Sequence, residues 1–211
     1  MNCDFITNPV KYLEPEQQEK QKIYIMLSMT GTRFARMLKC FTRSPYTHVS
    51  ISLDRDLREM YSFGRRKMHL PMFAGFVQEI PDRGVFQKYD VSCAIYELEV
   101  SCEQYLKIEH MINRFWEGYD RYKYNFAGLP FMLFRIPLCR KHRFVCSQFV
   151  AYLLSRSEIA EFEQGYTLVQ PEDFLQLDMK KIFQGSLRDY CEMEKQEEAV
   201  TLPMQQMMRT C

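Results

Sequence analysis

Apolar and polar positions alternate with a period of two in several short stretches, the mark of strands. Ile23, Ile25 and Leu27 interleave with Tyr24, Met26 and Ser28, and Val49, Ile51 and Leu53 interleave with His48, Ser50 and Ser52. Ala94, Tyr96, Leu98 and Val100 share one face of a strand from Cys93. A strand over Glu59 to Gly64 completes a β-hairpin with the His48 strand through a turn at Asp54-Arg55-Asp56. Elsewhere the period is helical. Phe34, Met37, Leu38 and Phe41 follow a Thr32 cap, and Ser44-Pro45 stops that helix. Ser101 and Gln104 form a capping box ahead of the stripe Tyr105, Ile108, Ile112, Phe115 and Trp116, which Gly118 ends. Cys146, Phe149, Val150, Leu153 and Leu154 mark another helix, running to about Ser155. Phe126 to Phe134 reads as a short helix or buried turn, Pro171-Glu172-Asp173 as a helix start and Lys181 to Tyr190 as a closing strand. Arg65 to Lys88, broken by Pro71, Gly75, Pro81 and Gly84, reads as a long irregular connection.

Strands joined mostly by turns rather than by crossover helices predict an α+β fold, an antiparallel sheet packed against helices. The 211 residues fit one domain over 22–191, with a polar N-terminal extension over 1–21 and a polar, Met-rich C-terminal tail over 192–211. Hydrophobic residues at 46% and charged residues at 26% describe a water-soluble chain with a sizeable core. A net charge of +1 provides no global field for nucleic acid, so no nucleic-acid partner is expected. The eight glycines are never closer than nine residues apart, which excludes phosphate-cradling loops, and no cofactor is expected. The longest stretch free of Asp, Glu, Lys and Arg is the twelve residues Phe144 to Ser155, too short to span a membrane. Met1 to Gln21 carries no secretory pattern, so the expected location is cytoplasmic and the eight cysteines are expected to be free thiols.

Chemistry narrows to a few residues. Cys139, His142 and Cys146 have the spacing of three metal ligands, but a structural zinc site wants four, so no metal is expected. His69 and His110 read as surface residues, and His142 sits in the basic cluster Arg140-Lys141-His142-Arg143. His48 is different, since a rigid strand holds its imidazole on the polar face. Cys146 begins a helix and lies on its inward stripe. There it is either an inert core thiol or a nucleophile whose pKa the helix start lowers, with free N–H groups able to bind an oxyanion.

Thr47-His48-Val49-Ser50-Ile51 after Ser44-Pro45-Tyr46, then Phe144-Val145-Cys146-Ser147-Gln148-Phe149-Val150 ahead of Pro171-Glu172-Asp173-Phe174, resembles the circularly permuted NlpC-like, papain-fold thiol enzymes. YiiX-like proteins are the nearest in pattern, and lecithin:retinol acyltransferase is more distant. The resemblance spans roughly Ile23 to Tyr190, with histidine first on a strand and cysteine following on a helix. It implies a papain-like domain in which Cys146 is the nucleophile and His48 the general base, acting on an amide or ester carbonyl through a thioacyl intermediate. Water as acceptor gives hydrolysis, and an amine or alcohol gives transfer.

A third polar group usually orients the imidazole. YiiX-like chains tend to place a glutamate on the strand after the histidine, where this chain has Met60-Tyr61-Ser62-Phe63, so Ser62 fills the matching place. Facing Ser62 to His48 requires a hairpin register sum of 110, and a serine orients without stabilising the imidazolium by charge. Asp54 lies six residues along the strand from His48, roughly 20 Å at about 3.3 Å per residue, so it does not substitute, and neither do Asp56 and Glu59 near the turn. The missing carboxylate keeps a second reading open, a catalytically weak or inactive binding module on the same fold. A small metal protein is the third. The substrates suggested are small peptides, cell-wall fragments or lipids. Arg140 to Arg143 can greet an anionic group, Phe126 to Phe134 can line an acyl pocket or touch a membrane surface peripherally, and Thr30-Gly31-Thr32 can border the site.

Overall fold

The computed structural model describes residues 20–29, 45–67, 70 and 72–208. Within them a sheet forms from β1 (Gln21–Met29), β2 (His48–Ser52), β3 (Met60–Arg65), β4 (Ala74–Glu79), β5 (Ser92–Val100), β6 (Lys123–Tyr124), β7 (Arg143–Phe144) and β8 (Lys180–Ser186). The helices are α1 (Gly84–Lys88), α2 (Cys102–Glu117), α3 (Gly128–Leu133), α4 (Cys146–Arg156) and α5 (Leu187–Met208), with a 3-10 turn over Pro171–Gln176. Strand order is β7-β6-β4-β3-β2-β1-β5-β8. The fold is therefore α+β, as expected, but the sheet is mixed. All neighbours pair antiparallel except β6 and β7, which run parallel because α3 and the loop after it form a crossover between them.

Both faces of the sheet are covered, and the alternation in β1 shows how. Ile23, Ile25 and Leu27 enter the larger core with α2 and α4, whereas Tyr24 and Met26 enter a smaller one with Leu187 and Tyr190 of α5. Rings of Phe63, Phe76, Phe115, Phe144 and Phe149 pack at the centre of the larger core with centroids 5.0 to 6.1 Å apart. The α2 capping box is present, Ser101 Oγ accepting from Gln104 N at 3.1 Å and Gln104 Oε1 accepting from Ser101 N at 2.9 Å. No helix among the described residues is long and apolar enough to cross a membrane.

Three expectations are corrected. The stretch Arg65 to Lys88 is not irregular throughout, since it contains β4 and α1. Gly75 weakens the strand signal, but its missing side chain is required, because a Cβ there would lie 2.3 Å from the Tyr122 carbonyl oxygen. The closing strand stops at Ser186, where α5 begins. The polar tail after residue 191 is helical rather than irregular, because α5 continues to Met208. Leu187, Tyr190, Cys191 and Glu194 recur at helical spacing on its inward side. Tyr190 donates to the Arg55 carbonyl at 2.9 Å, and Glu194 accepts from Arg55 Nε at 3.0 Å. The helix expected after Thr32, Thr30-Gly31-Thr32 itself and most of the 1–21 extension lie outside the described residues.

Phe76→Ala removes a fully buried ring that touches both sheet and helices. The expected loss is about 3–5 kcal/mol of unfolding free energy, measured as a lower urea midpoint at unchanged slope.

Candidate active site

Cys146 is the first residue of α4, and Val145 before it offers no side-chain cap. The amide hydrogens of the first turn are therefore not consumed by a capping serine or aspartate. The backbone N–H groups of Ser147 in that turn and of Val49 in β2 lie near enough to the Cys146 sulfur to favour its thiolate. Gln148 fixes this helix end. Its Oε1 accepts from Val145 N at 3.1 Å, and its Nε2 donates to the Thr167 carbonyl at 2.7 Å. That second bond holds the segment leading to Gln170 and Pro171. These two residues form one wall of a small apolar cleft of about 50 Å³, partly open to solvent, whose other walls include Tyr46, Tyr124, Leu129, Met132 and Cys146.

His48, the first residue of β2, lies beside Cys146, near enough for its charge and a hydrogen bond to act on the thiol. Its Nε2 faces Glu79 of β4 at 2.9 Å from Oε1 and 3.1 Å from Oε2. A carboxylate only accepts, so Nε2 is the donor there, and Nδ1 is the nitrogen left for the thiol. Ser50, two residues along β2, donates to Glu79 Oε2 at 2.5 Å and holds the carboxylate from its other side. Glu79 reaches His48 across β3, and the crossing is open because the intervening residue is Gly64. A Cβ at Gly64 would sit 3.2 Å from Glu79 Oε1 and 4.0 Å from His48 Cε1.

Burial disfavours a charged His48, but Glu79 and Cys146, by charge and hydrogen bond, hold its imidazolium well above the ordinary pKa. Burial likewise pushes the Cys146 thiol up, yet the charge and hydrogen bond of His48 and the two amide hydrogens bring it below its ordinary value. The two shifts run toward one another, so each group favours the charged form of the other, thiolate beside imidazolium. Tyr124 of β6 adds a donor. Burial, then the charge of the neighbouring Cys146 sulfur and a hydrogen bond to it, keep its phenol protonated well above the usual range.

The structure thus brings Cys146 and His48 together and leaves Ser62 out. Ile51 pairs with Tyr61 and Ser52 with Met60, a register sum of 112 rather than 110. Continued along the hairpin, this sets Gly64 opposite His48 and Ser62 opposite Ser50. Ser62 Oγ donates to the Val49 carbonyl at 2.8 Å, so it orients backbone and not imidazole. The other candidates lie elsewhere. Cys139 meets the Tyr166 hydroxyl at 3.4 Å, His142 packs edge-on against Tyr122, His110 is exposed on α2, and His69 is outside the described residues. No metal-holding group of three or more His, Cys, Asp and Glu occurs among the described residues. Sequence reasoning missed Glu79, Ser50 as its support, and Tyr124. The run Phe76 to Glu79 between Gly75 and Pro81 is a short strand signal that could have found Glu79, whereas a two-residue strand such as β6 carries no readable period.

Alkylation of Cys146 by iodoacetamide is expected to rise with pH through a midpoint below the ordinary thiol value of about 8.5, since thiolate forms above the lowered pKa. His48→Ala leaves burial uncompensated and moves that midpoint upward; peptide mapping against exposed Cys102 and Cys139 reads the change. Reaction of Cys146 no faster than these two would refute the thiolate. Glu79→Gln lowers the His48 pKa, because burial then dominates, so the NMR-detected imidazolium is lost at lower pH. Gly64→Val, by crowding the carboxylate, is expected to shift His48 in the same direction.

No protein-family model, no curated protein and no solved structure matches the chain, so what can be said of its function rests on its own residues.

Proposed function

We propose that this chain is a cysteine-dependent hydrolase or acyltransferase of the permuted papain-like kind, acting on an amide or ester bond. The observation that carries the reading is the row Glu79, His48, Cys146, with Glu79 hydrogen-bonded to His48 and His48 beside Cys146 at the start of α4, which borders a cleft. In the reaction the thiolate of Cys146 attacks the carbonyl carbon, forming a C–S bond and an oxyanion. Helix-start N–H groups and the Tyr124 hydroxyl are the donors placed beside that carbon. Collapse breaks the bond to the amine or alkoxide, which takes the proton from His48. The neutral imidazole then removes a proton from water or another acceptor as it attacks the thioester, and Cys146 leaves as thiolate. Glu79 stabilises the imidazolium by charge, which Ser62 could not do.

The binding-module reading drew its force from a missing carboxylate, and Glu79 occupies that role. Small peptides, cell-wall fragments and lipids share an acyl group that the apolar cleft can receive. A cytoplasmic setting belongs to the same proposal and agrees with the five described cysteines being free.

With nitrophenyl esters of increasing acyl length, the expected result is a stoichiometric burst of nitrophenol and a mass increase on the Cys146 peptide, both absent in Cys146→Ala. His48→Ala is expected to lower turnover on the order of 10²–10⁴-fold. Equal turnover by Cys146→Ala overturns the proposal.

A further inference from the structure

α3 is a helix without a polar side. From Phe126 to Phe134 the sequence holds no charged, hydroxyl or amide side chain. Leu129 and Met132 line the cleft beside Cys146, while Phe131 and Phe134 face outward, Phe134 with 77% of its surface exposed. Ile136, just beyond, is exposed too. A helix apolar all round is normally buried on every side or bordered by lipid. Here one apolar surface runs from the exterior to the nucleophile.

The sheet extends this surface. Gly75 of β4 pairs antiparallel with Lys123 of β6, the strand that leads toward α3, and Met72 and Phe73 immediately precede β4. Both are exposed, and Lys67 Nζ lies 5.6 Å over the Phe73 ring. Charge along these segments has one sign. From Arg121 to Ser157 there are seven Lys and Arg and no Asp or Glu, and from Met60 to Gln78 the charged residues are Arg65, Arg66 and Lys67. In a chain of net charge +1, this is a strong local asymmetry.

We propose that α3, residues 134–141 and the Met72-Phe73 corner dock on an anionic lipid bilayer. Phe131, Phe134 and Ile136 enter the interface, and Arg135, Arg140 and Lys141 meet lipid phosphates. A second copy of the chain fits the surface poorly, because it would set cations against cations. Docked in this way, α3 separates the lipid from Cys146 by its own thickness, and a lipid ester or amide passes from the bilayer along Leu129 and Met132 into the cleft. This choice of substrate rests on the function proposed above; the docking does not.

Flotation of the full chain with vesicles of phosphatidylcholine, with and without phosphatidylglycerol, tests the surface. The expected result is binding to the anionic vesicles that weakens with salt, with Cys146→Ala binding as wild type does. Arg135→Ser/Arg140→Ser/Lys141→Ser is expected to weaken binding roughly a hundredfold, at about a tenfold loss for each 1.4 kcal/mol. Phe131→Ser/Phe134→Ser/Ile136→Ser is expected to abolish it while Cys146 alkylation, which reports an intact fold, is unchanged. Failure of the wild-type chain to float with either vesicle overturns the proposal. So does a concentration-dependent dimer in light scattering that the Phe134 variant dissolves, which would make this face a self-contact. Vesicle binding without acyl-enzyme formation would sink the catalytic reading and leave the docking intact.

Discussion

A negative sulfur inside the protein is the condition on which the site depends, and the fold contains its own comparison. Cys93 on β5 is as buried as Cys146, and burial, with Cys191 nearby, pushes its thiol up to about 12. Burial pushes Cys146 in the same direction, yet its thiol ends below its ordinary value. The difference lies in what surrounds each sulfur: apolar neighbours for Cys93, and an imidazolium plus two amide hydrogens for Cys146. Where water is scarce such interactions are strong. An isolated buried charge would be unstable, however, and His48 is itself supported by a second anion, Glu79. The three groups form an alternating row of negative, positive and negative, in which removing any member leaves its neighbour uncompensated.

Building that row determines features of the sheet that have no chemistry of their own. β2 and β4 are separated by β3, and adjacent strands lie about 4.8 Å apart, so a carboxylate on β4 has to cross a whole strand to reach β2. It can do so because β3 presents a glycine at the crossing and a serine at the next position on the same face. Gly64 leaves the space, Ser62 turns its hydroxyl to the Val49 carbonyl, and Ser50 holds the arriving carboxylate. The polar face of β2, read from sequence as a feature of one strand, is a buried polar seam shared with β3: Ser50, Ser52 and Ser62 are all at most 1% exposed.

What was legible follows from how far each signal extends along the chain. β1, β2, β5, α2 and α4 each show several repeats of one period, and the two reacting residues stand on such elements, so Cys146 and His48 could be named from sequence. Glu79 was missed, because its strand is short and carries a glycine needed for close approach to Tyr122, which leaves only a weak signal. Ser62 was misassigned by two residues of register. Asp54 explains the slip: its carboxylate accepts from the amides of Arg58 and Glu59 at 3.0 and 2.7 Å, and Leu57 takes a φ of 59° beneath them. The turn is thereby centred on Asp56, one residue later than Arg55. α5 escaped because one of its inward positions is Glu194, whose partner Arg55 lies 139 residues away. Side-chain contacts across such distances leave no periodic trace.

Access to the site sets a further constraint. Cys146 is 5% exposed and the His48 side chain 14%, so no broad channel of water reaches the sulfur. Closure of this kind strengthens every interaction in the charged row, but it also limits how a substrate enters. The cleft that touches Cys146 is lined by Tyr124, Leu129, Met132, Val145 and Pro171 among others, and none of these side chains is charged. An acyl group that fills this cleft displaces the little water it holds. On the proposed chemistry a thioester formed there is sheltered by its own acyl chain, and deacylation then depends on an acceptor reaching the His48 side of the sulfur. The balance between hydrolysis and transfer is in that case a property of access past β2 and not of the reacting groups, which are the same for both.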